Sequence, residues 1–575
     1  MKKSLIVFII IAVVVLYVLP AGFSFVVSGL FGSLDGDAAQ KRQEKTYDPS
    51  YTYAELTPEQ RLEDFDYFCE MVKTSLPNIY DMKELYGLSF FDRIPEYRQM
   101  VESCENDYQF TALMTYLIND LPSGHAGLIA PDYTDYFSVG YFRTETVGLK
   151  LGDNLRGKLE AFDKYLRKQQ REYDAEQNSC CIFTYYSGEY VCSAADEFSR
   201  AIVLSIDGKN AAEAFCDTLA MSGQIFYDAQ AKKPYRLRVM LCTKGSNPVQ
   251  VEMKLPDGSV RTKTLYTDYD RCYSMQYQYY YAESYVDDNT DEIFAQIPEA
   301  TEDDISIIEV EEYNLAYVML SSLEFSSGEA LTNKLRQASS YENVIIDLRG
   351  NGGGVSSFWD NYIYPALYKD DAHFEASGIV PDNSYTDRLY PGWFDGAASL
   401  SLSGLNFEKN AQRPADMYDC NNGKYKKYTF THDLKGDPTL KYPENRKVYY
   451  IVNNYTCSAA DEIAQIVKEC NLGMVVGSNT LGEGRIFGVC NDWLPNSLLM
   501  YNYSPCNIVD KQGVNNGIVG TMPDIYGGTT AQGLIASEML DAQGKNSLHP
   551  DNRPLWDRNY MLILQDIGSA VSDAA

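Results

Sequence analysis

The sequence has little of what nucleic-acid binding or metal binding requires. It carries 49 Lys and Arg residues against 80 Asp and Glu, a net charge of −31, and its basic residues form no cluster able to offset this charge. Because nucleic acids and anionic lipid headgroups attract positive charge, this balance argues against both as the main partner. Cysteine and histidine never occur together at the spacing of a metal site, so we expect no metal and no cofactor.

Histidine is scarce, and cysteine follows no paired pattern. The 13 cysteines stand singly apart from Cys180-Cys181, and their odd number leaves at least one thiol outside any intramolecular disulfide. The four histidines are His125, His373, His432 and His549. Any chemistry that needs an imidazole must therefore use one of these four side chains.

The N-terminus is the one long apolar stretch. Lys2 and Lys3 precede an apolar run, and residues 1–32 are predicted to be an export signal retained as a membrane anchor. Residues 33–52 are polar and without periodicity, which is typical of a linker. We expect a single N-terminal span in the cell membrane, with the bulk of the chain extracytoplasmic.

A chain of 575 residues predicts several domains. Helical periodicity and a Thr57-Pro58 start signal predict an N-terminal helical domain, and alternating residues with an Asp-Gly turn predict a β-rich domain after it. Strands then alternate with helices, which indicates an α/β core. The boundaries are 53–131 for the helical domain, 146–270 for the β-rich domain, 271–304 for an acidic linker and 305–575 for the core.

The six residues CSAADE occur twice, at Cys192–Glu197 and at Cys457–Glu462. In each copy Ser precedes Asp by three residues, a pattern that predicts a helix N-cap. The second copy follows the predicted strand KVYYIVNN. It therefore lies at the carboxyl end of a strand, where the sites of α/β layers gather. Ser193 in the first copy is expected to be only a cap or loop residue.

Four motifs together resemble the carboxyl-terminal processing protease and tricorn-core family of serine peptidases. They are LPSGHAGL at 121–128, DLRGNGGG at 347–354, VNNYTCSAADE at 452–462 and MPDI at 522–525. The resemblance implies a ClpP/crotonase-like α/β core and a PDZ-like domain at 146–270 that presents the tail of a peptide or protein substrate.

The resemblance makes Ser458 the nucleophile. It also makes the backbone N–H of Gly352 or Gly353, with that of Ala459, the oxyanion hole. A hydroxyl at a strand-to-helix turn is exposed, and the helix dipole favours the anion that forms on attack. Cys457 is a weaker candidate nucleophile, because a neighbour in the chain usually points elsewhere.

The general base divides the family into two branches. One branch uses a lysine where this chain has Glu483, and the other uses a histidine after the N-terminal helices, which His125 matches. An imidazole that titrates near neutrality suits a general base. The family's distant fourth acid has no counterpart, so Ser123, Glu483 and Asp510 are the candidates to orient His125.

The leading hypothesis is a membrane-anchored, extracytoplasmic serine endopeptidase that works through a Ser-His acyl-enzyme mechanism. The alternative is a catalytically inactive peptidase-like ectodomain that binds peptides or cell-wall components. Glu483 in the lysine position and the absence of the family's fourth acid favour the alternative, whereas Ser458, His125 and the complete glycine loop disfavour it. The sequence leaves the substrate and the oligomeric state open.

Overall fold

The computed structural model describes most of the chain from residue 53 onward. The described residues are 53–129, 153–174, 180–217, 221–222, 224–267, 305, 307–323, 328–354, 356–389, 406–413, 417–484, 490–508 and 515–568. All of them belong to one compact unit, which consists of 53–278 and 299–575. The predicted anchor at 1–32, both linkers and Asp510 lie outside the described residues. Within the described ranges, no helix has the length and apolar character of a membrane span.

Four helices occupy the first described range. They are α1 (Pro58–Ser75), α2 (Asn78–Tyr86), α3 (Phe90–Ser103) and α4 (Asp107–Asn119). Thr57 and Gln60 form a reciprocal capping box at the start of α1. After α4 the chain passes through His125 into the short strand β1 (Gly127–Ile129).

A closed antiparallel barrel follows the helix α5 (Asp153–Asp174). The helix was not expected within 146–270; its buried Leu159, Phe162 and Leu166 recur at helical spacing and account for it. The ring consists of β2 (Cys180–Tyr186), β3 (Glu189–Ser193), β4 (Ile202–Ile206), β9 (Arg238–Cys242), β10 (Pro248–Lys254) and β11 (Val260–Tyr266). The short strands β5 (Lys209–Asn210) and β6 (Met221–Ser222) pair with β4 and β9, and α6 (Ala211–Asp217) lies between them in the chain. A separate two-stranded sheet is formed by β7 (Ile225–Asp228) and β8 (Lys233–Arg236). The strand order is β10-β11-β9-β2-β3-β4, and β4 pairs with β10 to close the ring.

The predicted α/β core is confirmed. Its first elements are β12 (Ile307–Val310), β13 (Leu315–Met319), α7 (Gly328–Ala338), β14 (Asn343–Asp347), the π-helical turn Trp359–Ile363 and α8 (Tyr364–Leu367). After the added strands come β18 (Lys447–Val452), α10 (Ala459–Glu469), β19 (Met474–Gly477), α11 (Asn516–Val519), β23 (Ile525–Tyr526), α12 (Ala531–Ala542) and α13 (Arg558–Asp566). The sheet order is β12-β13-β14-β18-β19-β23, parallel except for the β12–β13 pair.

Two smaller sheets flank the core. One is built from β15 (Ala372–Pro381), β16 (Asn406–Lys409), β17 (Tyr425–Leu434) and β22 (Asn507–Ile508), with α9 (Ser384–Leu389) following β15. The other joins β1 to β20 (Cys490–Trp493) and β21 (Met500–Tyr503). Through the second sheet, the segment that carries His125 is paired to the core half of the chain.

Both faces of the core sheet are covered, which explains the unbroken apolar run of its central strand. All five residues of β14 are buried. Val344 and Ile346 pack against α7 and α10 on one face, while Ile345 packs with Tyr560 and Ile563 of α13 on the other. The carboxyl ends of β14 and β18 therefore lie side by side, and the two motifs that follow these strands meet there.

Candidate active site

Ser458 lies at the turn between β18 and α10. Its backbone has φ 55° and ψ −130°, a conformation that a residue other than glycine rarely adopts. Within the described residues its hydroxyl makes no capping hydrogen bond, so the predicted N-cap role of this side chain is wrong. The residue is partly exposed, and its hydroxyl remains available to a substrate.

The turn is paired along its length with residues 480–484. The Ser458 N–H donates to the Gly482 carbonyl at 3.1 Å, and the Leu481 N–H donates to the Thr456 carbonyl at 2.9 Å. These bonds carry Glu483, which follows Gly482 directly, to the side of the nucleophile turn.

Glu483 binds His125 through two contacts. The His125 backbone N–H donates to Glu483 Oε2 at 2.9 Å, and ring Nδ1 contacts the same oxygen. The Glu483 side chain is 1% exposed and that of His125 is 21% exposed. With Nδ1 held by a carboxylate, the other ring nitrogen is left to exchange a proton.

Of the remaining candidates to orient His125, Asp510 lies outside the described residues and Ser123 contributes no contact. Ser123 is buried, and its hydroxyl has no hydrogen-bond partner anywhere in the described part of the chain, which corrects the expectation that it orients the ring. Gly124, which lies between Ser123 and His125 in the chain, has no room for a side chain, because a Cβ there would lie 2.2 Å from Leu481 Cδ2. Glycine before the histidine therefore permits the close approach to residues 481–483.

The glycine loop that follows β14 touches the nucleophile through Gly353. A Cβ on Gly353 would lie 2.7 Å from Ser458 Cβ and 3.0 Å from the Ala459 nitrogen, whereas one on Gly352 would meet no described atom within 4 Å. The Gly353 N–H donates to Asn351 Oδ1 at 2.9 Å. Ala459 is the first residue of α10, so its N–H has no partner within the helix.

Asp461, in the first turn of α10, was noted in the sequence only as the acid of the cap pattern and not as a site residue. Its fully buried carboxylate accepts hydrogen bonds from the Thr480 hydroxyl at 2.5 Å, the Gln465 side chain at 2.6 Å and the Gly484 N–H at 2.9 Å. Burial raises the pKa of Asp461, against the effect of these donors. Because residues 480 and 484 flank Glu483, Asp461 holds the strand segment that carries it.

Glu462, the next residue, is buried and neutralised by a histidine. His432 Nε2 lies 3.1 Å from Glu462 Oε1, and His432 Nδ1 lies 2.8 Å from Asp360 Oδ2. Burial alone would lower the pKa of His432, but the two carboxylates outweigh it and raise the pKa to about 10. His432 is therefore a fixed cation, and the β17 strand that carries it is tied to the nucleophile helix.

Cys457 is not suited to be the nucleophile. Burial, followed by the charges of Glu483 and Asp461, raises the pKa of its thiol well above the usual value. A neutral buried thiol is a poor nucleophile.

Two of the four histidines lie on the surface. His373 and His549 have side chains 62% and 55% exposed, and they lie beside Asp433 and Asp551.

The first CSAADE copy contains no helix. Residues 194–200, all described, form bends and turns after β3, so Ser193, expected to be a cap or loop residue, caps no helix and is the last residue of β3. The Cys192 N–H donates to the Ala201 carbonyl at 2.8 Å, and the Arg200 N–H donates to the Cys192 carbonyl at 2.7 Å. The backbone partners offered by the next strand prevail over the helix-start pattern.

A strained, accessible serine beside a carboxylate-bound histidine is the arrangement of a serine-type peptidase, and the chain is one. Residues 314–526 match the family model described as Peptidase family S41. The match includes Ser458, the glycine loop and Glu483, and it supports the resemblance of this part of the chain to the carboxyl-terminal processing proteases. His125 lies outside the matched residues.

Several solved structures are similar to this chain. Mature CPAF complexed with lactacystin is 12% identical, with 89% of this chain and 99% of that chain covered and a TM-score of 0.46. The photosystem II D1 C-terminal processing protease is 13% identical, with 82% and 93% covered and a TM-score of 0.33. A putative peptidase from Parabacteroides merdae is 12% identical, with 90% and 99% covered and a TM-score of 0.38. The search of curated proteins found no match.

Proposed function

We propose that the chain is a membrane-anchored, extracytoplasmic serine endopeptidase of the histidine-using branch, with Ser458 as nucleophile, His125 as general base and Glu483 as orienting acid. The observation that carries the proposal is the double contact of Glu483 with the backbone and ring of His125. The residue that replaces the lysine of the other branch thereby supplies the carboxylate that a histidine base needs.

The proposed reaction follows from these positions. His125 takes the proton from the Ser458 hydroxyl as its oxygen attacks the carbonyl carbon of a peptide bond, and Glu483 stabilises the imidazolium that forms. On attack, the oxyanion takes the place of Asn351 Oδ1 as the acceptor of the Gly353 N–H, and it also accepts a hydrogen bond from the Ala459 N–H. His125 then protonates the leaving amine, and water releases the acyl group from Ser458 by the same steps.

The location and the mode of substrate delivery rest on other features. The apolar segment at 1–32 supports the single N-terminal span and the extracytoplasmic assignment. Delivery of a peptide tail by the PDZ-like barrel is supported by packing, because Cys457 and Leu481 beside the nucleophile belong to the apolar cluster of the barrel.

The alternative function, a silent peptide-binding ectodomain, rested mainly on Glu483 in the lysine position. That argument loses its force because Glu483 contacts His125, so the residue in the lysine position has a partner in the site. No other described feature favours the alternative.

Labelling with a fluorophosphonate tests the proposal, since only an activated serine reacts. On the full-length chain in detergent, we expect one labelled peptide containing Ser458 by mass spectrometry. Labelling should be lost in His125→Ala and kept in the control His549→Ala, whose histidine is on the surface. An unlabelled but folded wild-type chain, inactive on a range of peptides, would overturn the proposal in favour of the silent ectodomain.

A further inference from the structure

An ion-pair network lies where the glycine loop leaves β14, and it joins this part of the chain to the segment that contains Asp557. Arg349, which follows β14, donates from Nη2 to Asp347 Oδ2 at 2.7 Å and to Asp557 Oδ2 at 2.8 Å. Its Nη1 donates to Asp557 Oδ1 at 3.1 Å, so the contact with Asp557 is bidentate. The exposed fractions of these side chains are 12% for Arg349, 4% for Asp347 and 0% for Asp557.

The charges of the network balance when the C-terminal residues Arg553 and Asp557 are included. Arg553 Nη1 lies 3.4 Å from Asp557 Oδ2 and donates to the Tyr317 hydroxyl at 2.8 Å, and that hydroxyl donates to Asp347. Burial opposes the ionisation of Asp347, but Arg349 outweighs it and lowers the pKa of Asp347. Two arginines thus balance two aspartates, and removing one charge leaves another buried without its partner.

Asp557 is itself held rigidly. Its Oδ1 accepts hydrogen bonds from the N–H groups of Asn559 and Tyr560 at 3.2 Å and 3.3 Å, which makes it the N-cap of α13. Helix α13 packs against the core sheet through Tyr560, Ile563 and Leu564. The family match ends at residue 526, so this support comes from a part of the chain that the family model does not include.

The loop begins immediately after Arg349 and reaches the nucleophile within four residues. The Asn351 carbonyl accepts from the Cys457 N–H at 3.1 Å, and Gly353 packs against Ser458. A short segment, held by hydrogen bonds of Asn351, therefore connects Arg349 to the Gly353 N–H.

We propose that Asp557 is a positioning residue for the oxyanion hole: by clamping Arg349 it fixes the Gly353 N–H relative to Ser458. The inference rests on the proposed function, in which that N–H stabilises the oxyanion. Oxyanion donors act only within a narrow range of distance, and removing one such donor lowers kcat by about 100- to 1,000-fold. Displacing a donor without removing it should lower kcat by roughly 10- to 100-fold.

The test compares Asp557→Asn with Asp551→Asn in the full-length chain. Asparagine keeps the size of Asp557 and still caps a helix, but it loses the charge that holds Arg349. Asp551 is 87% exposed and serves as the control. Well below the unfolding midpoint of each variant, we expect Asp557→Asn to lower kcat by roughly 10- to 100-fold, with KM changed by less than about threefold. The rate of fluorophosphonate labelling of Ser458 should fall with kcat, and Asp551→Asn should match wild type.

Arg349→Lys keeps the charge and loses the planar fork, so it probes the same clamp if Asp557→Asn does not fold. A folded variant of either kind with wild-type kcat overturns the inference alone. A loss seen only as a raised KM or a lowered unfolding temperature, with kcat intact, also overturns it, because a purely structural role predicts that result. A wild-type chain without peptidase activity overturns both this inference and the proposed function.

Discussion

The two copies of CSAADE fold differently although their six residues are identical. Cys192–Glu197 closes strand β3 and continues into turns, whereas Cys457–Glu462 forms the nucleophile turn and the start of α10. The backbone partners of equivalent positions differ: the Cys192 N–H donates to the carbonyl of Ala201, shortly after the copy, while the Cys457 N–H donates to the carbonyl of Asn351 in the glycine loop. The comparison teaches that backbone partners outside the six residues decide what a short sequence does.

The acidic residues of the two copies show the same divergence in their electrostatics. Burial opposes the ionisation of Asp196, whose side chain is 42% exposed, but its hydrogen bonds from Lys263 and from the Phe198 N–H lower its pKa. Asp461 is fully buried, and burial raises its pKa. Glu197 is exposed, whereas Glu462 is buried against His432.

The largest expected difference between the copies is in catalysis. Ser458→Ala should lower kcat by about 10⁴- to 10⁶-fold, because it removes the nucleophile, and Ser193→Ala should leave kcat unchanged. Steady-state peptide hydrolysis by the two full-length variants measures the difference. Equal losses in both would contradict the assignment of Ser458 and the reading of the first copy as structural.

The next largest effect concerns the acid beside the second copy. Glu483→Gln should lower kcat by about 100- to 10,000-fold, because the amide no longer holds His125 in the orientation and tautomer that a base requires. Glu197→Gln, an exposed glutamate of the first copy, is the control and should retain wild-type kcat. Wild-type turnover by a folded Glu483→Gln would show that His125 needs no carboxylate.

His432 supports the second copy in a pH-dependent way. Its folded pKa of about 10 lies above the ordinary 6.5, so its contribution to stability is fully present below pH 6.5 and is lost as the pH rises through about 10. We expect His432→Gln to lower the free energy of unfolding by about 3 kcal/mol near pH 6, since it leaves two carboxylates without their cation.

Urea denaturation at several pH values measures this contribution. The difference between wild type and His432→Gln should shrink between pH 6.5 and about 10. For His549→Gln, the exposed control, the difference should stay near zero throughout. A difference for His432→Gln that does not change with pH would mean that the histidine is neutral and acts by packing alone.

The smallest expected effect compares the aspartates. Asp461→Asn should cost about 2 kcal/mol of stability, because the Asn amide group meets the donors of Thr480, Gln465 and Gly484. Asp196→Asn should change stability by less than about 0.5 kcal/mol, since its ion pair lies at the surface. Urea denaturation at neutral pH measures the free energy of unfolding of both variants. A larger loss of stability in Asp196→Asn than in Asp461→Asn would contradict this prediction.

Part of the site could be predicted from the sequence because it is local. The buried run of β14 and the glycines after it are adjacent in the chain, and so are β18 and Ser458. Strands that alternate with helices can form few topologies, and residues adjacent in the chain must stay close together in the fold. The α/β core and the position of the nucleophile could therefore be predicted from the sequence.

The two CSAADE copies show what local pattern does not decide. Their identical residues predict the same cap at Ser193 and Ser458, and the structure has a cap hydrogen bond at neither place. The outcome depends on which backbone lies opposite each copy, and that information is not contained in the six residues.

The sequence by itself determined the α/β core, the glycine loop and the turn that presents Ser458, since each depends on a short pattern of buried and small residues. Only the tertiary structure decided that Glu483 meets His125 across 358 positions and that Asp557 meets Arg349 across 208. Asp557 and Arg349 form a buried ion pair, and in both pairs the fold of the whole chain, rather than the neighbours in sequence, brings the partners together.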